Sequence, residues 1–157
     1  MSVSIGAERI GRLLCELLGR KVTTTTIPAF PITGGAPTLT AVYATSEGAV
    51  VGACVCDLDF VLNAGAALVL VPLYEVQESA KAKKWEPSLV ENFKEILNVC
   101  AQLFCEPQLP RVALQSVCVE AAARPANAAD LLAKPRKRVD MQLSIAGYGG
   151  GRMAVFT

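Results

Sequence analysis

The sequence has no histidine among its 157 residues, and this absence removes several kinds of site. Catalytic systems that pair a Ser or Cys nucleophile with a His base cannot be built from this chain. A zinc site would have to be held by thiolates, but the six cysteines include no Cys-x-x-Cys pair. We therefore expect neither a metal site nor a bound cofactor.

The sequence also has little charge imbalance and no long hydrophobic run. A net charge of +1 excludes the basic surface of a dedicated nucleic-acid binder and gives no reason for docking on an anionic membrane. The longest apolar run, 64–73, is too short to span a bilayer and is interpreted as buried core. The first residues lack the pattern of a secretory signal. We therefore expect a soluble, cytoplasmic protein with no nucleic-acid or membrane partner.

The composition is that of a folded chain, because hydrophobic residues make up 52% and charged residues only 18%. The length suits a single domain, 1–157. Aromatic residues are scarce, at 6%, so the core is expected to consist mainly of Ala, Val and Leu. The cysteines lie in apolar segments, where reduced thiols behave as small hydrophobes. They are Cys15, Cys54, Cys56, Cys100, Cys105 and Cys118.

Apolar periodicity and turn residues predict the order of helices and strands. Helices are predicted at 7–18, at 59–71 with Asp59 as its cap, at 87–104 and at 126–134, while 74–85 stays ambiguous. Strands are predicted at 22–27, 38–45, 49–58, 112–120, 139–147 and 152–156, with the last hairpin turning at the glycines 149–151. Because helices and strands do not alternate, we expect an α+β fold with an antiparallel or mixed sheet and helices packed on it.

The segment 87–104 carries the most informative pattern in the chain. At about 100° per residue its apolar side chains share one face: Leu89, Phe93, Ile96, Leu97, Cys100, Leu103 and Phe104. The opposite face holds a narrow row of acids and amides, here called the polar stripe: Glu91, Glu95, Asn98 and Gln102. Ser88 followed by Glu91 fits a capping box, which would explain Glu91 by helix initiation.

Two interpretations of the polar stripe stay open on these residues alone. It is either an ordinary solvated helix face or a contact face that presents one carboxylate and one carboxamide. Glu95 and Asn98 are three residues apart and hence neighbours on the helix surface. Asn is unfavourable inside a helix because its amide competes with the backbone, so Asn98 favours the contact face.

Three other features have simple structural interpretations. Neither glycine-rich segment, 32–36 or 147–151, has the spacing of a phosphate-binding loop. The basic run 134–138 is interpreted as a solvated loop, with a partner-binding patch as the alternative. Trp85 is expected to pack against the start of the helix that follows it.

The sequence resembles the CheC/CheX/FliY family of chemotaxis phosphatases, and most of all its CheX-type members with one active site. The resemblance depends on Glu95-Ile-Leu-Asn98, which matches the family's Glu-x-x-Asn pattern on a long helix. The order of elements agrees over most of the chain: an opening helix that ends in Leu-Leu-Gly, then strands, two central helices and late strands.

The resemblance implies an activity, a partner and a role for each residue. Such proteins dock this helix on the phosphorylated receiver domain of a response regulator. Asn98 would orient a water molecule toward the phosphoaspartate, and Glu95 would pair with a lysine of the receiver. Glu91 and Gln102 would contact the partner, and the Mg²⁺ would belong to the receiver's own site.

The sequence departs from the family's pattern at two places. The family usually has Gly four residues after the Asn, where this chain has Gln102, which would either obstruct docking or assist it as an amide. Members with two sites repeat Glu-x-x-Asn on the first helix. This chain has Glu8-Arg-Ile-Gly11 there, so at most one site is expected.

A second function of a different class is a non-catalytic interaction domain on the same fold. Such a domain would act in signalling or regulation, and it could form a homodimer through a sheet edge or an apolar helix face. Gln102 and the apolar composition favour this interpretation, whereas the Glu-x-x-Asn pair favours phosphatase activity.

Overall fold

Six strands form one antiparallel sheet in the computed structural model, which describes residues 5–34, 36–108 and 110–157. The strands run in the order β1-β5-β6-β3-β2-β4. They are β1 Val22–Thr26, β2 Thr38–Thr45, β3 Val50–Asp57, β4 Val112–Cys118, β5 Arg138–Ile145 and β6 Gly149–Phe156. The predicted α+β class with helices packed on a sheet is confirmed.

Five α-helices are present among the described residues, and four of them lie on one side of the sheet. They are α1 Ala7–Leu18, α2 Leu58–Val69, α3 Leu73–Ala82, α4 Pro87–Cys100 and α5 Ala129–Ala133, with short 3₁₀ helices at Ala101–Phe104, Ala121–Ala123 and Ala126–Ala128. The ambiguous segment is therefore mainly the helix α3. None of the helices in the described part of the chain has both the length and the apolar character needed to cross a membrane.

The main core lies between the sheet and the helices α1, α2 and α4. Strand alternation directs Cys54 and Cys56 of β3 into this core and turns Ala53 and Val55 to the other face. The six cysteines are free thiols in the structure, and Cys105 lies exposed after the 3₁₀ helix, not inside an apolar segment as predicted.

The second face of the sheet is covered by the chain around Phe30 and by α5. Asp140 on β5, only 4% exposed, holds this cover in place because its carboxylate accepts the backbone N–H of Phe30 at 3.1 Å. The Arg138 guanidinium donates to both oxygens of the same carboxylate, at 2.8 and 2.9 Å. These contacts complete a second, smaller core.

The predictions for the start of α2 and for the last hairpin are wrong. The helix α2 begins at Leu58 and is capped by Asp57, not by Asp59, because the Asp57 carboxylate accepts the Phe60 N–H at 3.0 Å. The last hairpin turns before Gly149, with Gly147 at φ +86°, so the glycine run belongs to β6. A Cβ at Gly151 would lie 2.3 Å from the Phe60 backbone nitrogen, so glycine here allows α2 to touch the strand.

Candidate functional site

The polar stripe lies on α4 and its 3₁₀ extension, and the opposite face of this unit is buried. All seven apolar residues predicted to share a face are buried, whereas Glu91, Glu95, Asn98 and Gln102 are all exposed. Glu95 and Asn98 therefore lie side by side on the surface. The arrangement presents a carboxylate and a carboxamide to the solvent from one turn of a well-packed helix.

Contacts with α2 fix the first half of α4. A Cβ at Gly65 would lie 2.3 Å from the carbonyl oxygen of Leu89, so the two helices approach to backbone contact. The side chain of Asn92 donates to the Gly65 carbonyl at 3.2 Å across the same contact. Because backbone touches backbone, α4 has little freedom to shift along α2.

A buried tyrosine fixes the second half of α4. After Cys100 the helix tightens into a 3₁₀ turn, and the Ala101 N–H donates to the Asn98 carbonyl. The Tyr43 hydroxyl donates to the Leu97 carbonyl at 2.7 Å. Burial raises the pKa of Tyr43 well above its ordinary value, so the hydroxyl keeps its proton, and this hydrogen bond, into the alkaline range. The carbonyl next to Asn98 is thus held by the sheet.

The predicted capping box is absent, and this changes the interpretation of Glu91. The N-cap of α4 is Glu86, because Pro87 occupies the first helical position, where its missing N–H costs nothing. Ser88 lies inside the first turn, and its hydroxyl donates to the Glu86 carboxylate at 3.4 Å. Glu91 instead accepts from the Lys94 ammonium at 2.9 Å. Its charge is therefore partly balanced on the helix itself.

A cation from another helix lies at the C-terminal end of the polar stripe. Arg9 of α1 donates to the backbone carbonyls of Gln102 and Leu103, both at 3.4 Å. A positive charge near the last carbonyls of a helix is stabilising, because those groups carry partial negative charge. The stripe therefore runs from a Glu–Lys pair at one end to an arginine at the other.

The first helix, where a second Glu-x-x-Asn motif would lie, has Gly11 in place of the asparagine and so presents no amide. Glu8 is exposed and pairs with Arg12 at 3.5 Å, whereas Gly11 is buried where a Cβ would lie 2.9 Å from a methyl carbon of Thr24. Among the described residues, no group of three or more His, Cys, Asp or Glu side chains could hold a metal ion. Of the two places compared, 8–11 on α1 and 95–98 on α4, only the second presents a carboxylate beside a carboxamide.

Sequence reasoning missed an exposed apolar patch between α2 and α3. The run 64–73 was interpreted wholly as buried core, but its end is on the surface, with Leu70 67% exposed. The apolar patch consists of Val69, Leu70, Leu73 and Tyr74, which are the exposed large hydrophobic residues of the described chain. Leu70 also has φ +59°, a left-handed conformation that is unusual for leucine. Pro72 signals the end of α2, but no sequence signal separates the exposed from the buried half of the run.

Comparison with known proteins gives matches among solved structures alone. No protein-family model matches the chain, and no curated protein sequence matches it either. The structure of the FliM–SpeE complex from H. pylori matches with a TM-score of 0.62 and 12% identity, over 96% of this chain and 80% of that one. The FliM middle domain of Vibrio alginolyticus matches with a TM-score of 0.59 and 12% identity, over 96% and 89%.

The CheX–CheY–BeF₃–Mg²⁺ complex from Borrelia burgdorferi also matches, with a TM-score of 0.47 and 10% identity, over 95% of this chain and 92% of that one. That likeness is weak. The FliM domains belong to the CheC/CheX/FliM fold family, so the resemblance stated from the sequence is confirmed as a shared fold. At 12% identity the match concerns architecture and carries no activity with it.

Proposed function

We propose that this chain is a CheX-like phosphatase that removes the phosphoryl group from the phosphoaspartate of a response regulator receiver domain. The observation that carries the proposal is the exposure of Glu95 and Asn98, three residues apart on a helix whose other face is buried. In this mechanism Asn98 orients the attacking water and Glu95 pairs with a lysine of the receiver.

The chemistry suits a carboxamide better than a second carboxylate. Phosphoryl transfer needs little covalent help, so positioning of the water and neutralisation of charge are the main means of catalysis. A neutral amide binds water without repelling an anionic phosphoryl group. The Mg²⁺ that balances the phosphoryl charge is supplied by the receiver, and this chain contributes no cofactor of its own.

Rigidity of the helix supports the proposal. The Tyr43 hydroxyl holds the Leu97 carbonyl, one residue before Asn98, and the Gly65 contact holds the start of α4. Because the backbone beneath the pair is held in this way, little backbone freedom is lost when the partner docks. Glu91 and Gln102 lie on the same face and would contact the receiver on either side of the pair.

The first prediction concerns Asn98. With phosphorylated receivers and Mg²⁺, the wild type is expected to shorten the lifetime of the phosphoryl group, and Asn98→Ala is expected to lower this rate roughly 100-fold, because the water loses its position. Asn127→Ala is the matched control. It removes the same side chain from an exposed position on another part of the surface and should leave the rate unchanged.

The phosphoryl lifetime is measured for a panel of receivers with wild type, with Asn98→Ala and with no added protein. If the lifetime of every receiver is the same in all three conditions, the phosphatase activity is ruled out. Glu95→Gln separates docking from chemistry. If Glu95 pairs with a lysine of the receiver, this variant should raise KM more than it lowers kcat, because it removes an attraction and leaves the amide in place.

A second candidate function is a non-catalytic interaction domain, and the apolar patch is the observation that favours it. Exposed apolar clusters on monomers often mark protein contacts. One structural neighbour is a complex of FliM with SpeE. In this case the chain would bind a partner or a second copy of itself without changing the phosphoryl lifetime. Sedimentation of wild type and Leu70→Ser over a range of concentrations would detect self-association through the patch.

A further inference from the structure

A cleft lies beyond the C-terminal end of α4 and has no part in the proposed phosphatase mechanism. Its volume is about 660 Å³, and it opens across the ends of β2, β3 and β4. One wall is the end of the 3₁₀ helix with the residues that follow it, and the other is α5 with the loop after it. Clefts of this size suit small molecules.

The lining of the cleft is largely apolar. Val112, at the start of β4, and Leu103, on the helical wall, are buried residues of the lining. Val51 at the start of β3 and Leu131 on α5 are partly buried hydrophobic residues on the sheet and the opposite wall. A molecule entering here would place an apolar body against these side chains and release water from them.

The rim of the cleft is cationic and is contributed by the basic run 134–138. Among the side chains that line the cleft, those of Lys134, Arg136 and Lys137 are cationic, and that of Glu106 alone is anionic. Basic side chains are therefore concentrated at the cleft, whereas the side chains of the whole sequence sum to a charge of only +1.

The backbone of this rim is fixed, while two of its side chains remain available. The N–H groups of Arg136 and Lys137 donate to the Thr157 carbonyl at 2.7 and 3.0 Å, and the Lys134 N–H donates to the Asp130 carbonyl at 2.8 Å. The Lys134 and Arg136 side chains are exposed and form neither an ion pair nor a hydrogen bond within the described residues.

We propose that this cleft binds a small amphipathic anion, with its carboxylate, sulfonate or phosphate group beside Lys134 and Arg136 and its apolar body against Val51, Leu103 and Leu131. Arginine forms paired hydrogen bonds to such anions, and lysine adds a flexible charge. The site is independent of the phosphatase, because neither Glu95 nor Asn98 lines the cleft.

The test uses 8-anilino-1-naphthalenesulfonate, an anionic aromatic probe whose fluorescence increases in apolar surroundings. Wild-type protein is expected to bind it saturably at one site, and laurate is expected to compete. The double variant Lys134→Glu/Arg136→Glu should weaken binding at least 10-fold. Lys81→Glu/Lys84→Glu makes the same charge change at exposed positions in and after α3 and should leave the dissociation constant within twofold.

The apolar patch is the alternative binding place for such a probe, and a third variant separates the two. Leu70→Ser/Tyr74→Ser removes apolar surface from the patch and should not affect probe binding to the cleft. The proposal is overturned if this variant abolishes binding, if the charge reversal at the cleft has no effect, or if no saturable binding occurs. Amide chemical-shift changes at Val51 and Leu131, but not at Val69, are expected when the probe is added.

Discussion

Single glycines determine how closely the helices approach the sheet and one another. At Gly52 a Cβ would lie 2.2 Å from a ring carbon of Phe104, whose ring stacks on Tyr43 with centroids 4.5 Å apart. This stack lies under the 3₁₀ turn that carries Gln102. The end of the polar stripe therefore rests on a contact that only glycine permits.

Gly52→Ala is expected to lower the free energy of unfolding by about 1–3 kcal/mol, because the ring of Phe104 must leave its place. Urea unfolding measures this loss. In the double variant Gly52→Ala/Phe104→Leu the smaller side chain gives the new methyl group room, so the combined loss should be less than the sum of the two single losses. Additive losses would mean that the two residues do not compete for the same space.

Three buried thiols make the stability of the protein sensitive to alkali. Burial raises the pKa of Cys100 from 9.0 to about 12 and raises the pKa values of Cys54 and Cys56 well above 9.0. The unfolded chain releases these protons near pH 9, whereas the folded protein retains them. Stability is therefore complete below pH 9 and is lost as the pH rises toward 12, by about 1.4 kcal/mol per pH unit for each thiol.

Urea unfolding between pH 8 and pH 11 measures this slope. Cys100→Ala lowers the overall stability but removes one titrating thiol, so its slope above pH 9 should be shallower than that of the wild type. A slope unchanged by the substitution would show that Cys100 does not contribute. The sequence identified these cysteines as core residues, but the cost of their ionisation follows only from their complete burial.

At the scale of elements, one strand and one helix meet at the bond between Tyr43 and Leu97. The hydroxyl of Tyr43 donates to the Leu97 carbonyl in the last turn of α4, and the hydrogen bond is buried. Tyr43→Phe is expected to lower the free energy of unfolding by about 1–3 kcal/mol, because a buried hydrogen bond to the Leu97 carbonyl is lost. Tyr148→Phe removes a half-buried hydroxyl and should change stability by less than about 0.5 kcal/mol. Equal losses in the two variants would contradict a special role for the Tyr43 hydroxyl.

The sequence predicted those elements best whose ends carry a strong local signal. The bounds of α1 were predicted to the residue because Gly19 follows the apolar periodicity and adopts φ +66°, a common end of a helix. The run 149–151 was placed in a turn instead, because glycine suits both a turn and a close approach. The choice between a turn and a close approach is made by the packing of α2 on β6, which brings Phe60 against Gly151.

The candidate site, like the helices and strands, could be predicted from the sequence only where local spacing decides the structure. The spacing of residues 87–104 placed the polar stripe outward, since one helical period is enough to assign a face. It did not reveal the Glu91–Lys94 pair or the arginine that α1 contributes near Gln102. The first depends on where the helix starts, and the second on a contact distant in sequence.

At the scale of the whole molecule, the centre of the sheet is covered on both faces and its edges are not. Amide hydrogen exchange is therefore expected to be slowest in β3 and β6, which bury residues in both cores, and much faster in the outer strand β1 and in α3, where Val76 is the one buried residue. Protection of β1 equal to that of β6 would indicate that a further chain covers this edge.

The order of the strands could not be predicted from the sequence. Local patterns identify strands, but β1 pairs with β5, which follows it by more than a hundred residues, and no local signal states this partner. The fold class was accessible because it depends on the order of elements, whereas the topology depends on pairings across the whole chain.

The glycine contacts at Gly65 and Gly151 also bear on how the protein responds to hydrostatic pressure. Pressure favours states that eliminate internal voids, and the close backbone approaches at these two glycines leave little room for a void at either point. Compression should therefore distort the loops and the open cleft before it changes the distance from α4 to the sheet. Asn98 would keep its position relative to Tyr43 at pressures that already distort the loops and the cleft.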